Sequence, residues 1–449
     1  MRPLKAPMLG TYWVSFFTTT KVSLAKKGLN VLFFGVDKYD AVYLKRLISA
    51  RKGTTPLIRH LAVVTVSPKE RVSGSNKDTL WRGEVDKLAE ENMLTTHYIH
   101  SSQINDWPVP VIREGGSVDT FNIAIVGNFS TQLPQNIVKH FSLGALDIHH
   151  SLLPKHRGPM PVEAAIMNND EVTGVTICEY RVHKFNAGYI LAQVPLTLTS
   201  TSLRSKIYEA LSDIGKELLI KVLNNLDYVR ENKIQQDEYE ATYTQIYRPP
   251  DAKIIWEKMT AEEIVRRHRA FYGKLIMHTI WRKKNKMHPL LLLEMSLPDK
   301  ESKPISPDYH LRPPGTLFFQ RKVPYLETLC IDGSRVLIHK LRIQNRKVFD
   351  GPGFKNGYLR VSGALRMLTN PVDAYKPTPA FGYPPGVEPP KTRASSESRV
   401  QEERQTKEGK VEENPAPELE IHSEEAKLIA ARKKPIKTGL NHTWDDITP

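Results

Sequence analysis

Cysteine is nearly missing from this 449-residue chain; only Cys178 and Cys330 occur. Two thiols cannot build a disulfide framework or a zinc cluster. Both lie in apolar runs, where cysteine serves as a small core residue. Long apolar stretches are missing too: no run of about 18 or more uncharged apolar residues occurs, which argues against a membrane-spanning helix. Acidic residues are absent from positions 1–28, which hold Arg2, Lys5, Lys21, Lys26 and Lys27 among hydroxyl and aromatic residues. That composition suits a mitochondrial transit peptide rather than a secretory signal, with a disordered basic arm as the alternative.

What is present is the make-up of an ordinary globular protein, 40% hydrophobic and 25% charged, long enough for two or three domains. The formal charge of +15 is unevenly placed. Residues 29–247 are close to neutral, whereas residues 248–360 carry 23 Lys/Arg against 11 Asp/Glu. Clustered cations displace the counterions condensed on a phosphate backbone, so the second half points to a polyanionic partner; a solvated basic face is the alternative.

Hydrophobic patterning places buried strands at 30–36, 61–66, 122–126, 145–148, 172–180 and 188–198. Helices are expected at 41–48, 135–140 and 203–226. Helices alternating with apolar strands predict an α/β, Rossmann-like open sheet. Residues 227–250 are polar, end in Arg248-Pro249-Pro250 and read as a linker. Beyond them come a short helix at 261–271 and short strands. Turn signals at Pro313-Pro314-Gly315, Asp332-Gly333 and Asn356-Gly357 mark a small OB-like antiparallel β-barrel. The tail is rich in Pro, Glu, Lys and Ser and is expected to be disordered. The expected divisions are 1–28, 29–226, 227–250, 251–370 and 371–449.

The most informative stretch runs from Asp147 to Pro161, DIHHSLLPKHRGPMP. An apolar strand delivers a carboxylate and a histidine to its carboxyl end, where ligands of open α/β sheets sit. A proline-stiffened turn follows, then Gly158-Pro159, which can open a helix. Side chains alternate along a strand, so His149 shares a face with Asp147 and Ser151, and His150 reads as structural.

This stretch resembles the signature of the folate-dependent formyltransferases, Asn-x-His-x-Ser-Leu-Leu-Pro, with Asp147 where the family has asparagine. Other pieces are similar in order to methionyl-tRNA formyltransferases: NVLFFGVDKYD (30–40), VGNFSTQLP (126–134), VTGVT (172–176), and Phe185-Asn186-Ala187-Gly188, where the family has Asp-x-Gly. Trp256 with residues 261–271, then residues 336–359, resemble the carboxyl-terminal domain. The likeness spans roughly residues 29–360.

The resemblance implies transfer of a formyl group from 10-formyltetrahydrofolate to the methionine of initiator Met-tRNA by a monomer in the mitochondrial matrix, without a metal. It implies that His149, Asp147 and Asn186 are catalytic, the last two with exchanged amide and carboxylate roles. Ser151, Leu152, Leu153, Pro154, Asn128 and Phe129 would then meet the folate, with Ser130 where the family has glycine. Lys69, Arg71, Lys77 and Arg82 fall where the family has a basic loop that reaches the RNA acceptor stem. Arg266, Arg267, Arg342 and Lys347, with Lys253, Arg269, Lys340 and Arg346, are the phosphate contacts expected in the second half. Arg157 either touches a substrate phosphate or caps its turn. Two other readings are a catalytically impaired relative that binds RNA or a ribosome, and a formyltransferase for a small amine such as a sugar nucleotide.

Overall fold

The fold comes from a computed structural model that describes residues 28–66, 82–129, 131–283, 286–299, 301–306, 309–320, 323–359 and 367–369. The transit-like start up to residue 27, the tail from 370, Ser130, and Lys69, Arg71 and Lys77 lie outside the described residues.

Five strands run parallel: β1 (Leu29–Phe34), β2 (Ile58–Val66), β3 (Thr96–Ile99), β6 (Ile123–Val126) and β7 (Ala145–His149). Their near-continuous apolar character is what a sheet covered on both faces requires. β8 (Val172–Glu179) and β9 (Ile190–Thr197) then join antiparallel, giving the order β3-β2-β1-β6-β7-β8-β9. The sheet is therefore mixed rather than fully parallel. Buried strands read as apolar runs in either direction, so patterning could not show the reversal.

Helix α1 (Lys38–Ser49) starts at a capping box in which the Asp37 carboxylate accepts from Tyr39 N and Asp40 N. Helix α5 (Arg204–Asn224) packs on α1 and on β8 and β9; it stops short of the expected residue 226, and a separate helix α6 (Leu226–Glu231) follows. Residues 83–121, left without elements in the sequence reading, hold α2 (Glu84–Glu91), β3, and a hairpin of β4 (Val111–Glu114) and β5 (Ser117–Thr120). That hairpin turns at Gly115-Gly116, both with positive φ. Helix α3 (Gln135–Val138) is shorter than expected, and α4 (Pro161–Met167) begins past Gly158-Pro159, with Met160 as its N-cap.

Residues 234–247 are not a free tether. Ile234 exchanges backbone hydrogen bonds with Ile190 at 2.9 Å, and Arg157 N donates to Thr242 O and Thr244 N to Arg157 O, each at 2.8 Å.

The second half opens with α7 (Ala261–Phe271), capped by the Thr260 hydroxyl. An antiparallel half-barrel follows, built from β10 (Met277–Lys283), β11 (Lys286–Ser296), β12 (Leu317–Phe318), β13 (Leu326–Leu329), β14 (Arg335–Ile343), β15 (Val348–Asp350) and β16 (Met367–Leu368). Asp332-Gly333 turns β13 into β14 as expected, with Gly333 at φ 80°. Asn356-Gly357 instead lies in a helical turn, residues 355–359, after the short helix α8 (Gly351–Phe354). The Tyr358 ring stacks on Phe354 at 5.4 Å and meets Trp281 edge-on at 5.9 Å, holding that segment against the sheet. Helix α7 packs on α4, and Arg269 Nη1 donates to Thr199 O (3.3 Å) and Ser202 O (3.1 Å), joining the two halves. Among the described residues no helix is long and apolar enough to cross a membrane.

Candidate active site

The loops after β1 and β6 and the end of β7 meet at the carboxyl ends of these strands around a cavity of about 380 Å³. Asp37, Asn128, Phe129, Asp147, His149, His150, Met160, Asn186, Arg204, Tyr208 and Lys274 are among its lining residues. Its volume lies within the usual range for a small-molecule site.

One wall is held by the buried Asp40. Its Oδ2 accepts from Val36 N (2.7 Å) and Asp37 N (3.3 Å), and its Oδ1 accepts from Asn128 N (2.8 Å). Asp37 completes the corner by accepting from Asn128 Nδ2 at 2.9 Å. Gly127 permits this approach, because a Cβ there would run into the Asp40 carboxylate. Burial pushes Asp40 up to about 8, with the neighbouring Asp37 adding to the rise and the three backbone donors opposing it. Phe129 meets Phe34 edge-on, ring centroids 5.5 Å apart.

At the floor, β7 presents Asp147 and His149. Asn186 Nδ2 donates to Asp147 Oδ2 at 2.5 Å, while Asn186 Oδ1 accepts from Gly158 N at 2.8 Å. The two bonds fix the amide orientation, since only nitrogen can serve the carboxylate and only oxygen the N–H. Gly158 sits at φ 101° and Asn186 at 49°, both left-handed conformations. The Cys178 thiol lies behind Asp147, 3.7 Å from Oδ2. Burial pushes Asp147 up to about 6, and the bonds from Asn186 and Cys178 hold it from rising further.

His149 Nε2 lies 2.8 Å from the His156 carbonyl, which can only accept. Nε2 therefore carries the proton, and Nδ1 is the acceptor. Burial lowers His149 to about 3, so the ring is neutral near pH 7. His156 is itself anchored: its ring nitrogen is 2.6 Å from Asp170 Oδ2, and its N–H donates to Thr242 Oγ1 at 2.8 Å. No bond between Asp147 and His149 is among the described hydrogen bonds; the backbone carbonyl of His156 orients the ring. His150 also borders the cavity, held with Nε2 3.1 Å from the Tyr43 hydroxyl and its ring edge-on to Tyr208.

Ser151, Leu152, Leu153 and Pro154 do not line the cavity. Ser151 Oγ donates to Lys155 O (2.7 Å), Ser151 O accepts from Thr176 Oγ1 (2.6 Å), and Leu153 is held between Thr176 Oγ1 and Gln193. The Leu153–Pro154 bond is cis. The turn's polar groups face the protein, so it shapes the site from behind. The open alternative at Arg157 is resolved as well. Its guanidinium is buried and bonds Gln236 (2.9 Å), Glu238 (2.9 Å) and Tyr243 (3.1 Å), out of reach of a substrate phosphate.

The expected RNA contacts are scattered. Arg82 pairs with Asp86 (2.8 Å) and Glu90; Arg267 with Glu263 (2.9 Å), and Arg266 with Glu262 (3.8 Å) on α7. Arg342 is on β14, and the exposed Lys347 lies by the β14–β15 turn, over the Phe349 ring. Sequence reasoning missed Asp40, Met160, Arg204, Tyr208 and Lys274. The Asp37-x-x-Asp40 spacing is a helix-start signal that marks the first; the others come from distant segments without a motif. Among the described residues no cluster of His, Cys, Asp or Glu is arranged to hold a metal.

Two family models match the chain: Formyl transferase over residues 50–223 and Formyl transferase, C-terminal domain, over residues 247–359. The mitochondrial methionyl-tRNA formyltransferase of Homo sapiens is 29% identical over 331 residues, covering 73% of this chain and 77% of the relative. That of Rattus norvegicus is 28% identical over 334 residues, covering 73% and 78%. The Enterococcus faecalis methionyl-tRNA formyltransferase is 39% identical over 143 residues, 32% of this chain and 45% of that one. Among solved structures, an Aquifex aeolicus HypX variant aligns at TM-score 0.47 and 16% identity, covering 74% of this chain and 48% of that one.

Proposed function

We propose, from the premise that the chain belongs to the formyl transferase family, that it moves the formyl group of 10-formyltetrahydrofolate onto the amine of methionine esterified to initiator tRNA, in the mitochondrial matrix. The observation that carries this reading is the 2.5 Å Asn186–Asp147 pair beside His149 on the cavity floor. The donor supplies an activated carbonyl carbon; attack by the amine makes a tetrahedral carbon bearing an oxyanion and an ammonium. The site must then take a proton from the ammonium, stabilise the oxygen anion and return a proton to N10, so that the tetrahedral carbon collapses, the C–N10 bond breaks and tetrahydrofolate leaves.

Asp147 suits the first task. With a pKa near 6 it is mostly ionised at pH 7 yet basic enough to accept a proton. Asn186 suits the second, because one amide hydrogen is held by Asp147 and the other is left to donate to the oxyanion. The neutral His149 offers Nδ1 as an acceptor that aligns the amine. A carboxylate next to a developing oxyanion is repulsive unless it is paired or protonated, and the proton that Asp147 takes from the ammonium neutralises it. Amide and carboxylate thus exchange places relative to the family pattern with both chemical groups retained. The cavity size and its apolar wall around Phe129 fit a flat ring system, and Lys274 of the basic half lines the same cavity. The 29% relatives named for methionyl-tRNA support the acceptor assignment.

The test is a formylation assay with Met-tRNA and 10-formyltetrahydrofolate, run on the wild type, Asp147→Asn, and Asp147→Asn with Asn186→Asp. Activity in the wild type and its loss in Asp147→Asn are expected. An inert wild type that gains activity in the double variant would show that the exchange abolished catalysis.

A further inference from the structure

Lys274 comes from the second half of the chain yet lines the same cavity as Asp147 and His149. It sits in the turn after α7, held by a bond from Lys274 N to Phe271 O at 2.9 Å, with Gly273 beside it at φ 78°. Its nearest anion is Glu163, fully buried on α4. Glu163 is already committed: Oε1 accepts from Arg204 Nε at 2.6 Å, and Oε2 accepts from the Tyr208 hydroxyl at 3.1 Å. Lys274 Nζ is left 3.9 Å from Oε1, with no hydrogen bond among those described. Asp37, the other carboxylate on this wall, is held by Tyr39 N, Asp40 N and Asn128 Nδ2. Lys274 is thus a half-exposed cation whose acidic neighbours are engaged by stronger donors. Burial lowers its pKa and Arg204 lowers it further, while Glu163 and Asp37 offset only part of the fall. An anion in the cavity would relieve both costs.

We propose that Lys274 is a substrate-contacting residue that donates to an anionic oxygen of a bound substrate, either a phosphate of the aminoacylated acceptor's terminal nucleotides or a carboxylate of the formyl donor. The inference rests on the reading of this cavity as a formyl-transfer site. It gives the junction of the halves a chemical purpose: docking of the basic half on α4 adds a second cation to the cavity beside Arg204, whose charge is already paired with Glu163.

The experiment uses the full-length protein with Lys274→Met and Lys274→Arg, and measures KM for both substrates and kcat, with thermal melts as a control. A KM for Met-tRNA raised about tenfold or more, the scale of one charge-assisted hydrogen bond, with arginine restoring it, identifies the phosphate. The same rise confined to 10-formyltetrahydrofolate identifies the carboxylate. Unchanged KM values for both substrates in a folded Lys274→Met protein would overturn the inference. Should the wild type lack formylation, titration with a short hairpin RNA ending in CCA and with 5-formyltetrahydrofolate separates the two questions. Weaker binding of either ligand to Lys274→Met than to wild type supports the contact, and equal binding of both refutes it.

Discussion

Asp40 and Asp147 are both buried carboxyls raised by burial, to about 8 and about 6; the first lies in the opening turn of α1 just past β1, the second on β7. Their surroundings differ. Asp40 faces three backbone N–H donors and does not line the cavity; it ties the β1 loop to the β6 loop. Asp147 faces one amide, one thiol and the cavity. A raised pKa therefore fails to separate a structural acid from a reactive one, whereas access to a cavity does. The comparison also explains why Asp40 needs Gly127 close against it, while Asp147 needs Asn186 and Gly158 in left-handed conformations.

The comparison is broken most directly by Asp147→Asn. It removes the proton acceptor, so kcat should fall by about 10²- to 10⁴-fold, checked by initial rates. In the wild type, the acid limb of the pH–rate profile should lie near 6, because His149, lowered to about 3, is neutral throughout that range. Stability should move the other way. Asp147 has a folded pKa above its unfolded value, so the folded state binds the extra proton, and stability is lost as pH rises from about 4 to 6. Asp147→Asn should thus be more stabilising at pH 8 than at pH 4, by roughly 1–3 kcal/mol for a shift of this size, as measured by denaturant titration.

Asp40→Ala should give the opposite pattern. Leaving three N–H groups without their acceptor should cost about 3 kcal/mol or more, read as a lower denaturation midpoint. Its kcat should fall far less than that of Asp147→Asn, and the KM for the formyl donor should rise as the Asn128 loop loosens. Equal kcat losses in the two variants would erase the distinction.

A smaller effect belongs to Asp170→Ala. Without its 2.6 Å partner, His156 would no longer hold its carbonyl firmly against His149. A kcat loss of about tenfold with little change in KM is expected from such misplacement of a catalytic group. The smallest effect belongs to Cys178→Ala, which removes a weak 3.7 Å donor. The acid limb should shift upward by about a few tenths of a pH unit, because a thiol is a poor donor.

The β1, β6 and β7 ends were legible because each is an apolar run closed by polar letters, and the family signature lies on one of them. The β8 and β9 directions were not, since a doubly covered strand carries no mark of its orientation. His149 could be read from the motif, but its true anchor, His156 O, could not, because a backbone carbonyl has no letter of its own. The Ser-Leu-Leu-Pro turn was legible as a turn; that its hydroxyl and carbonyls bond inward was not, because their partners Lys155 O and Thr176 Oγ1 carry no motif. Arg204 and Lys274 reach the site from segments far along the chain, where neither spacing nor composition singles them out.

The strand-like pairing of Arg157 with Thr242 and Thr244 bears on how this protein is made. Arg157 lies one residue before Gly158, whose N–H sets the Asn186 amide, and its guanidinium is held by Gln236 and Glu238. A nascent chain that has emerged only as far as residue 226 already contains every proposed catalytic residue. It lacks the segment that locks their loop. The turn is latched only once residues 236–244 have been made, and Lys274 reaches the cavity from later still, so an excised 29–226 fragment would hold the right side chains around an unlatched turn.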